Sequence, residues 1–143
     1  MLLRILWGMM CLQAACRVDS SSLEVRGAWV RPILPPQNVT AGYLDAVNSG
    51  LDTIRIIDVS SPAFDTVELH EMTTDSEGVM RMKRMGALVV AAGDSVALRP
   101  GGKHLMLIGP RHTLSEGNDV PITLETNRGG RVTFAARVER RAW

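Results

Sequence analysis

The residues best suited to bind a metal ion are histidines and methionines in strand-like segments. In HLMLI, residues 104–108, Leu105 and Leu107 alternate with His104 and Met106. Side chains two residues apart on a strand lie on the same face of it. The two leucines therefore fit a buried face, and we expect the histidine and the methionine together on the opposite, outward face.

Two other segments offer similar side chains. In DTVELHEM, residues 65–72, Val67 and Leu69 fit the core face, and the alternate residues fit the outward face: Glu68, His70 and Met72. In GVMRMKR, residues 78–84, charged residues alternate with Met80 and Met82. Such a polar strand is expected at the edge of a sheet, where charged side chains discourage further pairing. Three strands therefore offer histidine or methionine side chains away from the core.

These side chains favour one metal over the others. Imidazole nitrogens and thioether sulfurs, without thiolate or carboxylate, form a soft and neutral ligand set. Soft thioethers select Cu(I), whereas zinc prefers thiolate, imidazole or carboxylate ligands, and calcium and magnesium prefer oxygen. Neutral ligands leave the charge of Cu(I) uncompensated, so we expect the site near the protein surface. Met72 and Met80 are neighbours that could act as alternative ligands or in transfer.

The first 20 residues are predicted to be an export signal, followed by one domain over residues 21–143. Arg4 precedes an apolar run over residues 5–12, and small residues follow it. The run is too short to span a bilayer as an anchor. A buried N-terminal strand or helix is the alternative interpretation, and Cys16 could be the lipidated cysteine of a bacterial lipoprotein.

Cysteine usage excludes several kinds of site from the domain. The only cysteines are Cys11 and Cys16, and both lie in the predicted export segment. Residues 21–143 therefore contain no internal disulfide, no CxxC redox motif, no zinc–thiolate site and no blue-copper centre.

Composition sets further limits. The net charge is +1 and aromatic residues make up 4% of the chain, which argues against a nucleic-acid-binding surface. The sequence has neither a G-x-S-x-G elbow nor an HExxH motif, so we expect a binding protein and not an enzyme. We also expect a monomer without a membrane span.

Short apolar segments separated by glycine and proline turns predict an all-β fold. A regular series of strands and turns is typical of sandwiches and barrels, and we predict an antiparallel Greek-key sandwich. The predicted strands are residues 24–30, 40–48, 53–59, 65–72, 78–84, 87–91, 95–98, 104–108, 119–125 and 131–138.

Three positions outside the ligand set have simpler interpretations. His112 lies in the turn-like PRHTL and is expected on the surface. Met85 is expected to pack in the core, because methionine commonly fills gaps there. Gly101 and Gly102 predict a tight turn, which would fix where His104 enters its strand.

The spacing of the ligand-type residues resembles the signature of the periplasmic PCu(A)C family of copper chaperones. Eleven residues separate His70 from Met82, twenty-one separate Met82 from His104, and one separates His104 from Met106. The surrounding segments VELHEM, GVMRM and LRPGGKHLMLIGP also look like the family, as does GAWVRP near the start of the domain. The family sometimes has methionine directly after the first histidine, where this chain has Glu71.

The resemblance implies a cupredoxin-like β-sandwich that binds one Cu(I). The implied ligands are His70, Met82, His104 and Met106. It also implies an exported, periplasmic protein that delivers copper to the CuA centre of cytochrome c oxidase, often beside a Sco-type chaperone. Three alternatives stay open: copper buffering or resistance through the same site, a metal-free β-sandwich binding module, and a copper electron carrier. The electron carrier is disfavoured, because the ligands prefer Cu(I) strongly over Cu(II).

Overall fold

The computed structural model describes residues 22–142, which fold into ten β-strands. The predicted export signal over residues 1–20, with Cys11 and Cys16, lies outside the described residues. Among residues 22–142, no helix has the length and apolar character needed to cross a bilayer. The strands are β1 Leu23–Val30, β2 Val39–Asn48, β3 Ile54–Ser60, β4 Phe64–Thr74, β5 Met80–Arg84, β6 Leu88–Val90, β7 Ser95–Leu98, β8 Lys103–Pro110, β9 Asp119–Thr126 and β10 Arg131–Val138.

The prediction of an all-β fold is confirmed, and each of the ten predicted segments overlaps one strand. One strand pair departs from the antiparallel prediction. The last strand, β10, runs parallel to β1, with Trp29 opposite Arg137 and Val30 opposite Val138. Each of these strands has an antiparallel partner on its other side, β2 for β1 and β9 for β10. The parallel pair therefore joins the first and last strands of the fold.

Hydrogen bonds connect the strands in one path, β5-β4-β8-β2-β1-β10-β9-β3-β6, and β7 also pairs with β2. The path must fold over on itself, because its two ends share one core. Val67 and Leu69 of β4 belong to the same buried cluster as Ile56 of β3 and Leu88 of β6. This packing gives two layers with an apolar interior.

The strands at one end of the path follow the predicted alternation. Leu105 and Leu107 of β8 are fully buried, and Val67 and Leu69 of β4 are nearly so. Strand β5 is an edge strand with five exposed residues, as its polar sequence predicts. The apolar alternation therefore fixes which face of β4 and β8 meets the core, and it assigns the histidines to the other face.

The turn between β4 and β5 is held by the carboxylate of Asp75. Its Oδ1 accepts hydrogen bonds from the backbone N–H groups of Glu77 at 3.0 Å and Val79 at 2.9 Å. Its Oδ2 accepts a bond of 3.0 Å from Nε of Arg81. The hydrogen bond from the Val79 backbone contributes most to holding the pKa of Asp75 below its usual value, and the bond from Arg81 contributes next. The charged carboxylate thus stabilises the hairpin that carries Met82.

We expect Asp75→Asn to reduce the free energy of unfolding at about pH 7, because the amide accepts hydrogen bonds without a charge. A carboxylate whose pKa is lowered by folding stabilises the protein above its unfolded pKa of 3.8. That stabilisation is lost as the pH falls through the lower, folded-state pKa. Urea unfolding of the wild type and of Asp75→Asn between pH 7 and 3 measures this effect. The difference between their free energies of unfolding should become smaller as the pH falls.

The control is Glu77→Gln, which removes a carboxylate from the same turn and keeps the backbone N–H that bonds to Asp75. A stability difference between wild type and Asp75→Asn that stays constant with pH would contradict the role given to the Asp75 charge.

Candidate metal centre

The candidate centre lies on three adjacent strands at one end of the sheet, in the order β5, β4, β8. In this arrangement the sequence-predicted residues occupy neighbouring rungs on the face opposite the core. We call this surface the site face, and it comprises Glu68, His70, Met72, Met80, Met82, Arg84, His104 and Met106.

The two histidines are direct cross-strand partners. His70 of β4 lies opposite His104 of β8, and their ring centroids are 5.9 Å apart with an interplanar angle of 33°. Bonds from a metal to imidazole nitrogen are about 2.0–2.1 Å long. An ion between the rings is therefore within reach of both histidines.

The turn before β8 orients His104. Gly101 adopts a positive φ of 79°, which favours glycine. The carbonyl oxygen of Gly102 accepts a hydrogen bond of 3.0 Å from Nδ1 of His104 and another of 3.2 Å from the backbone N–H of Met72. Because a carbonyl oxygen only accepts, Nδ1 carries the proton. A neutral His104 then has its lone pair on Nε2.

His70 has the opposite arrangement. Its Nε2 lies 2.8 Å from Oε2 of Glu68, and its Nδ1 is buried without a hydrogen-bond partner in the described structure. The other oxygen of Glu68 lies 3.4 Å from the guanidinium of Arg84, the residue opposite His70 on β5. Few buried polar atoms in folded proteins lack a partner. The unpartnered Nδ1 is therefore available to a ligand.

The charge of Glu68 follows from these contacts. The hydrogen bond from His70 lowers the pKa of Glu68, and the positive charge of Arg84 lowers it further. Glu68 is therefore a charged acceptor at neutral pH, which requires Nε2 of His70 to be the donor.

The methionines lie around the histidine pair. Met82 of β5 is opposite Met72, and Met106 of β8 is opposite Glu68. Both Met82 and Met106 are thus diagonal neighbours of His70, at a separation of about 7–8 Å between backbones that long side chains can bridge. Met82 is 51% exposed, whereas Met72 and Met106 are half-buried. Met80 lies one rung farther out, opposite Thr74, and is exposed.

One expectation about the site needs correction. His104 is 6% exposed, so its predicted position at an open surface is wrong. Trp29 and Tyr43 are buried as well and form an aromatic pair with ring centroids 4.7 Å apart, and Tyr43 comes directly after the last β2–β8 rung, Gly42 opposite Leu105. The predicted ligands are neutral side chains, and a charged group adjoins them, because the Glu68 carboxylate lies one hydrogen bond from His70.

Other predicted placements are confirmed. His112 is exposed in the segment after β8, and Met85 packs against the core cluster. Across the described part of the chain, no group of three or more histidine, cysteine, aspartate or glutamate side chains is placed to hold a metal. The methionines of the site face are the other candidate ligands near His70 and His104.

The sequence did not predict three groups that contact the site: the Glu68 carboxylate, the Arg84 guanidinium and the Gly102 carbonyl. The spacing of Glu68 and His70, two residues apart, was a usable signal because it places both on one face. The contacts of Arg84 and Gly102 depend on strand register and turn geometry, which the sequence pattern does not fix.

Comparison with known proteins assigns the family. A model of the LpqE-like family, described as "Putative lipoprotein LpqE-like", matches residues 23–138. The chain belongs to the LpqE-like family. This LpqE-like protein is 28% identical over 121 residues to "Putative lipoprotein Lxx21020" of Leifsonia xyli subsp. xyli (strain CTCB07). That similarity covers 85% of this chain and 72% of the relative.

Solved PCuAC domains share the fold of this LpqE-like protein. The copper-bound PCuAC domain from PmoF2 has a TM-score of 0.70 and 26% identity, covering 84% of this chain and 94% of that one. The solution structure of Cu(I)-DR1885 from Deinococcus radiodurans has a TM-score of 0.65 and 30% identity, covering 88% and 85%. The predicted PCu(A)C resemblance and cupredoxin-like sandwich are confirmed.

We expect Gly101→Ala to destabilise the LpqE-like protein by about 1–2 kcal/mol, the cost of a side chain in the left-handed region. A Cβ at this position would meet no atom within 4 Å, so the effect would come from the backbone and not from a clash. Chemical unfolding measures the loss, and NMR shifts of His104 should change with it.

The matched control is Gly86→Ala. It also has no atom within 4 Å of a built Cβ, and its φ lies outside the left-handed range. We expect it to be neutral or slightly stabilising. Equal destabilisation by both substitutions would contradict a specific conformational role for Gly101.

Proposed function

We propose that this protein binds one Cu(I) ion through His70, Met82, His104 and Met106 and acts as an exported copper chaperone. The observation that carries this proposal is the buried Nδ1 of His70, which has no partner among residues 22–142. His70 lies opposite His104 and on the same face as the methionines. Two imidazoles and two thioethers suit Cu(I), whereas a zinc site would require harder or thiolate ligands.

The site combines two histidines fixed by hydrogen bonds with an exposed methionine. His104 is buried and bonded to Gly102, and His70 is bonded to Glu68, so the two imidazoles need little ordering on metal binding. Met82 stands on the edge strand and is 51% exposed. We infer that an acceptor ligand first displaces Met82 and then the histidines. This order suits capture and ligand exchange, with no chemical turnover.

The comparisons support copper as the cargo. One similar structure is described as a copper-bound PCuAC domain and another as Cu(I)-DR1885. The lipoprotein descriptions of the family and of the Leifsonia relative support export. We propose Cys16 as the residue for lipid attachment. We propose a periplasmic location, free or held at a membrane by lipid.

We propose delivery toward the CuA centre of cytochrome c oxidase, directly or through a Sco-type chaperone. This follows from the sequence resemblance and from a site whose exposed thioether favours exchange. Copper buffering or resistance is the second candidate function, because it would use the same ligands. A direct transfer measurement distinguishes the two.

We expect an anaerobic Cu(I) titration against a colorimetric chelator to show one tight equivalent in the wild-type domain. His104→Ala and Met82→Leu should each weaken Cu(I) binding by more than about tenfold. Substituting a residue that only contacts a metal ligand already lowers metal affinity by about that factor. The controls are His112→Ala and Met85→Leu, which alter an exposed turn and a core-packed thioether.

No tight equivalent in the wild type would contradict the proposal and favour the metal-free binding module. Binding that is equally weakened by the control substitutions would show a general loss of structure, and it would contradict the ligand assignment.

For delivery, we expect the Cu(I)-loaded protein to lose its copper to an apo CuA domain or to an apo Sco-type protein, because an incoming thiolate or histidine can displace the ligands one at a time. Separation followed by metal analysis of each protein measures the transfer. Retention of copper against both acceptors, together with copper sensitivity of a deletion strain, would contradict delivery and support buffering.

A further inference from the structure

In the two histidines of the site face, different ring nitrogens are held by hydrogen bonds to protein oxygens. Nδ1 of His104 donates its proton to the Gly102 carbonyl oxygen at 3.0 Å. The lone pair on Nε2 is then the one that can bind a metal. In His70, Nε2 is held by Glu68 at 2.8 Å, and the buried Nδ1 has no partner among the described residues. The pair is therefore chemically unsymmetrical before any metal binds.

We propose that Glu68 is a positioning residue that makes Nδ1 the copper-binding nitrogen of His70, paired with Nε2 of His104. This inference rests on the proposed copper function and adds to it the identity of the donor atoms and the residue that selects them. Glu68 itself does not touch the metal in this arrangement.

The strand geometry makes this role of Glu68 specific. Glu68 and His70 are two residues apart on β4 and therefore lie on one face. A half-turn of the imidazole about its bond to Cβ would remove Nε2 from the carboxylate and replace it with carbon. The 2.8 Å bond therefore favours one of the two ring orientations, and that orientation keeps Nδ1 buried.

Arg84 holds the carboxylate from the other side. It lies opposite His70 on β5, and its guanidinium is 3.4 Å from Oε1 of Glu68. The two oxygens of Glu68 are thus divided between a histidine on β4 and an arginine on the edge strand. Strand β5 also carries Met82, two residues before Arg84, so one strand both supplies a thioether and fixes the orientation of an imidazole.

An ordinary surface ion pair does not account for this arrangement. The side chains of His70 and Glu68 are 12% and 19% exposed, so the pair is largely shielded from water. Charge pairing with Glu68 accounts for Nε2 of His70 but leaves the buried Nδ1 without a partner among the described residues. A carboxylate that accepts from a metal-bound histidine also raises the donor strength of that ring and places a negative charge near the ion.

The test is 15N NMR of the histidine side chains in the apo and Cu(I)-loaded domain, with Cu(I) alone as the probe. In the apo wild type we expect a proton on Nε2 of His70 and on Nδ1 of His104. On loading, the 15N shifts of His70 Nδ1 and His104 Nε2 should move, and the two protonated nitrogens should keep their protons.

We expect Glu68→Ala to mix the two protonated forms of His70 in the apo protein and to weaken Cu(I) binding by about 10–100-fold. Glu68→Gln keeps an acceptor oxygen without the charge, so it should keep Nδ1 as the bound nitrogen with a smaller loss of affinity. The matched control is Glu71→Gln, which alters a carboxylate on the same strand that pairs with Lys103 at 2.8 Å. It should leave the nitrogen assignment unchanged.

Cu(I) binding through Nε2 of His70 in the wild type would overturn this inference and leave the copper function intact. Unchanged His70 protonation and unchanged affinity in Glu68→Ala would also overturn it. A wild-type protein that binds no Cu(I) would overturn the copper function, and this inference with it, so the two failures are distinguishable.

Discussion

The antiparallel pairing of β4 with β8 is the constraint on which the candidate site depends. This ladder runs from Phe64 opposite Pro110 to Glu71 opposite Lys103, and it places His70 opposite His104. The register is fixed by burial, because a slip of one residue would move Leu69 out of the core and His70 into it. The hydrophobic effect that folds the sandwich thereby also brings the two imidazoles together.

The rest of the centre extends from this rung. The hairpin to β5, closed at Asp75, adds Met82 and Arg84 on one side. The glycine turn before β8 adds a carbonyl that orients His104 on the other. The result is a pair of oriented imidazoles with the exposed thioether of Met82 at the sheet edge. That combination is suited to holding a soft ion and to releasing it by exchange.

Much of this could be predicted from the sequence, because it depends on alternation and spacing. The apolar positions of residues 65–72 and 104–108 correctly predict two strands and the faces on which His70 and His104 lie. The burial of His104 could not be predicted in this way, because it depends on how the strands pack in three dimensions and not on the alternation within β8. The nitrogen that each histidine presents also depends on side-chain hydrogen bonds, and these require register and turn geometry. The parallel β1–β10 pair is likewise a property of the whole topology and not of any local pattern.

The most direct test of the central claim is X-ray absorption spectroscopy of the domain loaded anaerobically with one equivalent of Cu(I). We expect a Cu(I) edge with both nitrogen and sulfur scatterers in the first shell, the nitrogen with the outer-shell pattern of imidazole. A first shell of sulfur alone, or of nitrogen and oxygen without sulfur, would contradict a site built from the His70–His104 rung and its neighbouring thioethers.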